Sequence, residues 1–168
     1  MNNKCYPYGG DARGLKTEYH RMGSGTQEGI ESKGGGHVQN MIVARFVDGS
    51  MLKGTTSDFF PTKDTFHVMV NGTGKMKEVR VLELKAIFFV KTYEGDKDRR
   101  GSLNAERKGL GKKIMVNFKD GEMILGYATS YSNAALGFFV FPSDTDNNND
   151  RVFVVNAATK EVRFLGEA

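Results

Sequence analysis

The sequence predicts an all-β fold in which one small unit is built twice: two tandem five-stranded barrels behind a flexible, glycine-rich N-terminal tail. Three observations predict it. Short apolar runs of β-branched and aromatic residues are cut by turn pairs, Asp48-Gly49, Asn71-Gly72 and Asp120-Gly121. Twelve Phe and no Trp accompany these runs, a composition suited to pleated, half-buried surfaces. The pattern of the first half then recurs in the second at a constant offset.

Residues 1–37 form the tail. Nine of its positions from Gly9 to Gly36 are glycine, and no apolar period survives long enough to offset the entropy of ordering. The first unit spans 38–92. A strand over 41–46 runs into Asp48-Gly49, and the chain returns over 51–56. Phe59-Phe60-Pro61 breaks the pattern. A third strand covers 66–70, Asn71-Gly72 turns it, and a fourth covers 77–81. After a short turn, Ala86 to Val90 is a heavily apolar fifth strand that needs covering if it is not to become a sticky edge. Residues 93–111 are a charged, glycine-bounded linker. The second unit, 112–168, repeats the order with strands over 113–118, 123–128, 137–141, 151–155 and 161–165.

The repeat is specific. Phe46 matches Phe118 and Phe66 matches Phe138, each 72 positions on; Ile42 and Ile114, Met51 and Met123, Val68 and Val140 keep the same offset. Asp48-Gly49 and Asp120-Gly121 place a turn at the same point, with a primed hairpin geometry expected. Gly54 and Gly126 interrupt equivalent strands, where glycine marks a bulge or sharp bend that lets a short sheet curl into a barrel. Each unit is only ~55 residues, near the lower limit for independent folding, so the two are expected to share buried surface or to oligomerise.

The pattern of apolar alternation, Asp-Gly turn, Gly five residues after the turn Gly and aromatic five residues later resembles the Sm-like fold. Gly49, Gly54 and Phe59 carry it in the first unit, and Gly121, Gly126 and Tyr131 in the second. The resemblance implies two tandem Sm-like or SH3-like small barrels. That family places an acidic residue and an Asn beyond the aromatic, at its RNA base pocket; Phe60 and Ser132 stand here, so its RNA-binding residues do not carry over. Asp58-Phe59-Phe60-Pro61 and the run from Leu84 to Val90 also resemble an uncharacterised bacterial family that repeats this unit in tandem.

Composition excludes several chemistries. A net charge of +4 permits an acidic partner without requiring one. One cysteine, Cys5, makes no internal disulfide and no thiolate zinc site. The N-terminus lacks an apolar leader and no apolar run reaches the ~20 residues of a membrane span, so a cytoplasmic protein is expected. His20, His37 and His67 have no converging partners in the sequence. Asp144 to Asp150 imitates half of a calcium loop but has Asn149 and Val155 where that loop needs Gly and Glu; it reads as a polar hairpin. No nucleophile elbow or phosphate loop is present. The expectation is a protein without catalytic residues, metal or cofactor.

The function expected is a non-catalytic binding or adaptor module, with a protein partner or self-association. One alternative is RNA or single-stranded nucleic acid. It would be held by the basic linker and its flank, Arg99, Arg100, Arg107, Lys108 and Lys112, and by the loop aromatics Phe59, Phe60 and Tyr131. A second alternative follows from Asp48 to Gly54, which resembles the Asp-x-Ser-x-x-Gly of PilZ barrels and implies a cyclic di-GMP receptor. Its spacing is one residue longer, and no Arg-x-x-x-Arg arm precedes it; Arg13, Arg21 and Arg45 are the arginines upstream.

Overall fold

Turn residues cut both halves of the chain into the same series of strands. The computed structural model describes residues 39–95, 110–144 and 146–166. In the first half these are β1 (Asn40–Phe46), β2 (Met51–Thr56), β3 (Thr65–Val70), β4 (Met76–Arg80) and β5 (Leu84–Val90). In the second they are β6 (Lys112–Phe118), β7 (Met123–Ala128), β8 (Gly137–Pro142), β9 (Asn149–Val155) and β10 (Thr159–Leu165). A one-turn 3-10 helix precedes the last strand of each half, at Val81–Glu83 and Asn156–Ala158. The tail, most of the linker and His20 and His37 lie outside the described residues.

The repeat extends to register. Ile42 faces Gly54 and Ile114 faces Gly126; Gly54 faces Val70 and Gly126 faces Pro142. The two glycines serve one purpose. A Cβ on Gly54 would lie 2.2 Å from the Met69 carbonyl oxygen and 2.6 Å from Val68 Cγ1; on Gly126 it would lie 2.4 Å from the Phe141 oxygen and 2.6 Å from Val140 Cγ1. Close backbone approach, rather than a bulge, is what glycine permits here. Two bulges sit elsewhere in matching places: pairing skips Lys85 between Leu84 and Ala86, and Lys160 between Thr159 and Glu161; a third, in the pairing of β5 with β9, skips Asp150.

The Asp-Gly turns differ from the primed geometry expected. Gly49 and Gly121 have φ of 88°, while among the described residues no non-glycine residue has positive φ. Each Gly N–H instead donates back to the Phe at the strand end, Phe46 or Phe118, and Ser50 and Glu122 accept from those same Phe N–H groups. The Asp carboxylates stabilise this form locally: Asp48 accepts from Ser50 N–H and Oγ–H, and Asp120 from Glu122 N–H.

Where two closed barrels were expected, the ten strands make one open antiparallel sheet in the order β10-β6-β7-β8-β9-β5-β1-β2-β3-β4. The halves join at a seam between β5 and β9, with Ala86 opposite Val154, Ile87 opposite Phe153 and Phe89 opposite Arg151. The apolar run of β5 explains the joint. Its seven residues are all buried. Ile87 and Phe89 enter the core of the first half, and Ala86, Phe88 and Val90 enter the core of the second. β9 does the reverse, sending Phe153 and Val155 into the first core and Val152 and Val154 into the second. Each such side chain contributes ~1.5–3 kcal/mol on burial, so both halves are stabilised by pairing rather than by closing separately. Among the described residues, β4 and β10 have one neighbouring strand each.

Candidate functional site

Two features distinguish the seam: an ion cluster on the turn side and an aromatic cluster beyond it. The bulge in β5 carries Lys85, whose side chain is 4% exposed. A bulge re-aims its extra residue, and Lys85 meets Asp120 and Glu122 from the β6–β7 turn of the other half. Arg45 on β1 adds two bonds to Glu122, at 3.0 and 3.1 Å. The ammonium also lies 4.5 Å from the centre of the Phe118 ring. Two cations of the first half are therefore held by two carboxylates of the second. Partial burial works to raise the Asp120 pKa; the Lys85 hydrogen bond, the Glu122 N–H and the nearby cations outweigh it and hold the carboxyl below its usual range.

The aromatic cluster is built on Phe59, in the loop after β2. Its ring packs on Phe66 and Phe89 of its own half, at 5.2 and 5.7 Å between centroids. It packs equally on Phe153 and Phe139 of the other half, at 5.0 and 6.4 Å. Arg151 covers the neighbouring rings, 4.3 Å from the centre of Phe89 and 5.5 Å from that of Phe139.

The candidate residues read from the sequence separate on this frame. Phe59 is half-buried in the seam, and its ring faces are taken by four phenylalanines. Phe60 is exposed, with the Lys63 ammonium 4.7 Å from its ring centre. Tyr131, the counterpart of Phe59, packs edge to face with Phe138 and Phe164 at 4.9 and 5.8 Å and stays on the surface. Lys112 opens β6 and is exposed. Arg99, Arg100, Arg107 and Lys108 lie outside the described residues. The structure does not draw Phe60, Lys112 and Tyr131 into one described site.

Sequence reading missed Lys85, Glu122, Arg151 and Phe164. Lys85 had a signal: one lysine inside an otherwise apolar run. Asp58 entered the sequence reading only within the Asp58-Phe59-Phe60-Pro61 stretch that carries the family resemblance. Its carboxylate accepts from the His67 N–H at 3.0 Å and from Thr56 Oγ–H at 3.2 Å, and lies 2.7 Å from His67 Nδ1. Partial burial works to raise the Asp58 pKa, but these bonds from His67 and Thr56 hold it low. Glu78 lies 3.8 Å from the other ring nitrogen of His67. The described residues between β8 and β9 make a polar connection: Asp144 and Asn147 cap N–H groups two residues on, and Asn148 bonds Thr92. Among the described residues no three His, Cys, Asp or Glu side chains are grouped to hold a metal ion, and no helix is long and apolar enough to cross a membrane.

These features define an all-β protein whose ten strands form one open antiparallel sheet. The model of a family of unknown function (DUF6982) matches residues 38–166, and the chain belongs to that family. No curated protein and no solved structure matches the chain.

Proposed function

We propose that the chain is a non-catalytic binding module, a tandem pair of Sm-like units that takes a protein partner at the open edges of its sheet. One observation carries this reading. Among the described residues both terminal strands leave a row of backbone groups without a neighbouring strand, and each presents a large apolar side chain: Met76 on β4, 59% exposed, and Phe164 on β10, 50% exposed. Edge addition derives affinity from main-chain hydrogen bonds and specificity from side chains at alternate positions. A strand left open with apolar side chains is otherwise an aggregation hazard.

The test is retention of proteins from the cells that encode this chain, comparing the wild type with a Met76→Lys, Phe164→Lys double variant. A protein held by the wild type and lost from the variant supports edge binding. Identical retention by both overturns it. Nuclease-sensitive material on the wild type, bound with an affinity that falls steeply with salt, favours nucleic acid instead.

A further inference from the structure

Three turns place a glycine directly after an Asp or Asn: Asp48-Gly49, Asn71-Gly72 and Asp120-Gly121. Such a pair has a chemical consequence. With no Cβ in the way, the glycine nitrogen can reach the preceding side-chain carbonyl carbon and close a five-membered ring. The two Asp-Gly turns are protected from this. Gly49 N–H donates to the Phe46 carbonyl and Gly121 N–H to that of Phe118, both at 3.1 Å. Their carboxylates are engaged too: Asp48 accepts from Ser50 N–H and Oγ–H, and Asp120 from Lys85 and from Glu122 N–H. The Ser50 bonds hold Asp48 ionised; partial burial opposes ionisation of Asp120, but its bond from Lys85 outweighs that. A carboxylate anion is a poor electrophile.

Asn71-Gly72 lacks each of these restraints. Asn71 N–H is anchored on the Lys53 carbonyl at 2.9 Å, at the end of β3. Val70 closes the turn, donating to the Lys75 carbonyl and accepting from the N–H groups of Thr73 and Gly74. Between these bonds Gly72 N–H meets no acceptor, and the Asn71 amide meets no partner, among the described residues. Both residues are exposed. Gly72 has φ of 81°, and nothing lies within 4 Å of where a Cβ would stand on it. Asn71 is also the one asparagine in the sequence followed by glycine. We propose that Asn71 is a self-modification site, converted without an enzyme to aspartate and isoaspartate through a cyclic imide with Gly72.

The Gly72 nitrogen gives its proton to solvent base and attacks Asn71 Cγ. The N–Cγ bond forms, the Cγ–Nδ2 bond breaks, and ammonia leaves with a proton from water. A water molecule then opens the ring. Attack at Cγ yields aspartate; attack at the former main-chain carbonyl carbon yields isoaspartate, with the chain running through the side chain. The sum is amide plus water giving acid plus ammonia, with no change of oxidation state. Either product adds a negative charge to the turn, beside Lys75. Isoaspartate also adds one carbon to the main chain inside the Val70–Lys75 closure, which loosens β4 from β3. Its carboxylate is the group that an S-adenosylmethionine-dependent isoaspartyl methyltransferase accepts.

The test ages the purified full chain at mildly alkaline pH. Residue 71 is followed by mass spectrometry after digestion, and isoaspartate by transfer of a labelled methyl group from S-adenosylmethionine with an isoaspartyl methyltransferase. Acid is expected at Asn71 about tenfold faster than at Asn133, which is exposed but followed by alanine. Label is confined to the peptide holding residues 71 and 72. It is absent from Asn71→Gln, whose longer side chain closes a ring poorly. Asp48 and Asp120 take label only when the chain is aged in urea, where their turn bonds are lost. The aged chain unfolds at lower urea than Asn71→Asp, because isoaspartate alone lengthens the hairpin. An unchanged Asn71, or one no faster than Asn133, overturns the proposal. Label at Asp48 or Asp120 as early as at residue 71 in the folded chain overturns the protection by hydrogen bonds. An aged chain as stable as Asn71→Asp overturns the effect on the hairpin.

Discussion

Replacing Gly54 or Gly126 with alanine tests the repeat at its tightest point. Neither glycine has positive φ, so alanine fits the backbone and only space opposes it. The new Cβ would stand 2.2 Å from the Met69 oxygen in one half and 2.4 Å from the Phe141 oxygen in the other. Ordinary contact requires a retreat of about 1 Å by β3 or β8, and such overpacking costs ~1–3 kcal/mol. The retreat falls on short ladders, Gly54–Val70 and Thr55–Met69, or Gly126–Pro142 and Tyr127–Phe141. Losing one or two of those hydrogen bonds adds about 1 kcal/mol each. Reduced freedom of the unfolded chain returns ~0.4–1 kcal/mol. The expected net loss is ~2–4 kcal/mol for each variant, read in urea as a midpoint lower by roughly 1–2 M at unchanged slope. Gly49→Ala is the contrast: nothing lies within 4 Å of its added Cβ, but its φ of 88° gives a conformational cost of about 1 kcal/mol. A neutral or stabilising Gly54→Ala or Gly126→Ala would refute the close-approach argument. A large loss in one half with none in the other would refute the equivalence.

Lys85→Met keeps the stem packed but leaves Asp120 and Glu122 with Arg45 alone. Because both carboxylates reach solvent, the loss expected in denaturant unfolding is about 2 kcal/mol, below the ~3–5 kcal/mol of a sealed pair. Asp120 and Asp58 are held below the usual carboxylate range when folded. They stabilise the chain above the ordinary Asp value near ~4 and lose that contribution as pH falls through their folded values. The thermal midpoint should therefore drop between about pH 5 and about pH 3, and Asp120→Asn should flatten the drop. Phe59→Ala should cost ~2–3 kcal/mol and Tyr131→Ala about 1 kcal/mol in the monomer, since only Phe59 is packed from both halves. Equal losses would show that the seam contacts of Phe59 carry no weight.

Local chemistry made the strands legible in the sequence. Asp48-Gly49 and Asp120-Gly121 mark hairpins because glycine alone takes positive φ at no cost. Gly54 and Gly126 stand out in the sequence as breaks in a strand pattern, but they read there as bends; that a side chain would meet the next strand is visible only in the structure. The unbroken apolar run of β5 announced a strand that needs covering. What covers it could not be read, because closing a barrel and pairing with β9 bury the same side chains; only geometry decided for one open sheet. The same limit hid the roles of Lys85 and Phe59. A lysine in an apolar run is tolerated only where a bulge brings it to carboxylates distant in sequence, here Asp120 and Glu122. Phe59 and Tyr131 hold equivalent places in the sequence pattern, yet one is enclosed and the other open, because a seam runs past the first and an edge past the second. Periodicity and turn residues act within a few positions and belong to the sequence; which edge meets which depends on surfaces that exist only once the strands are in place.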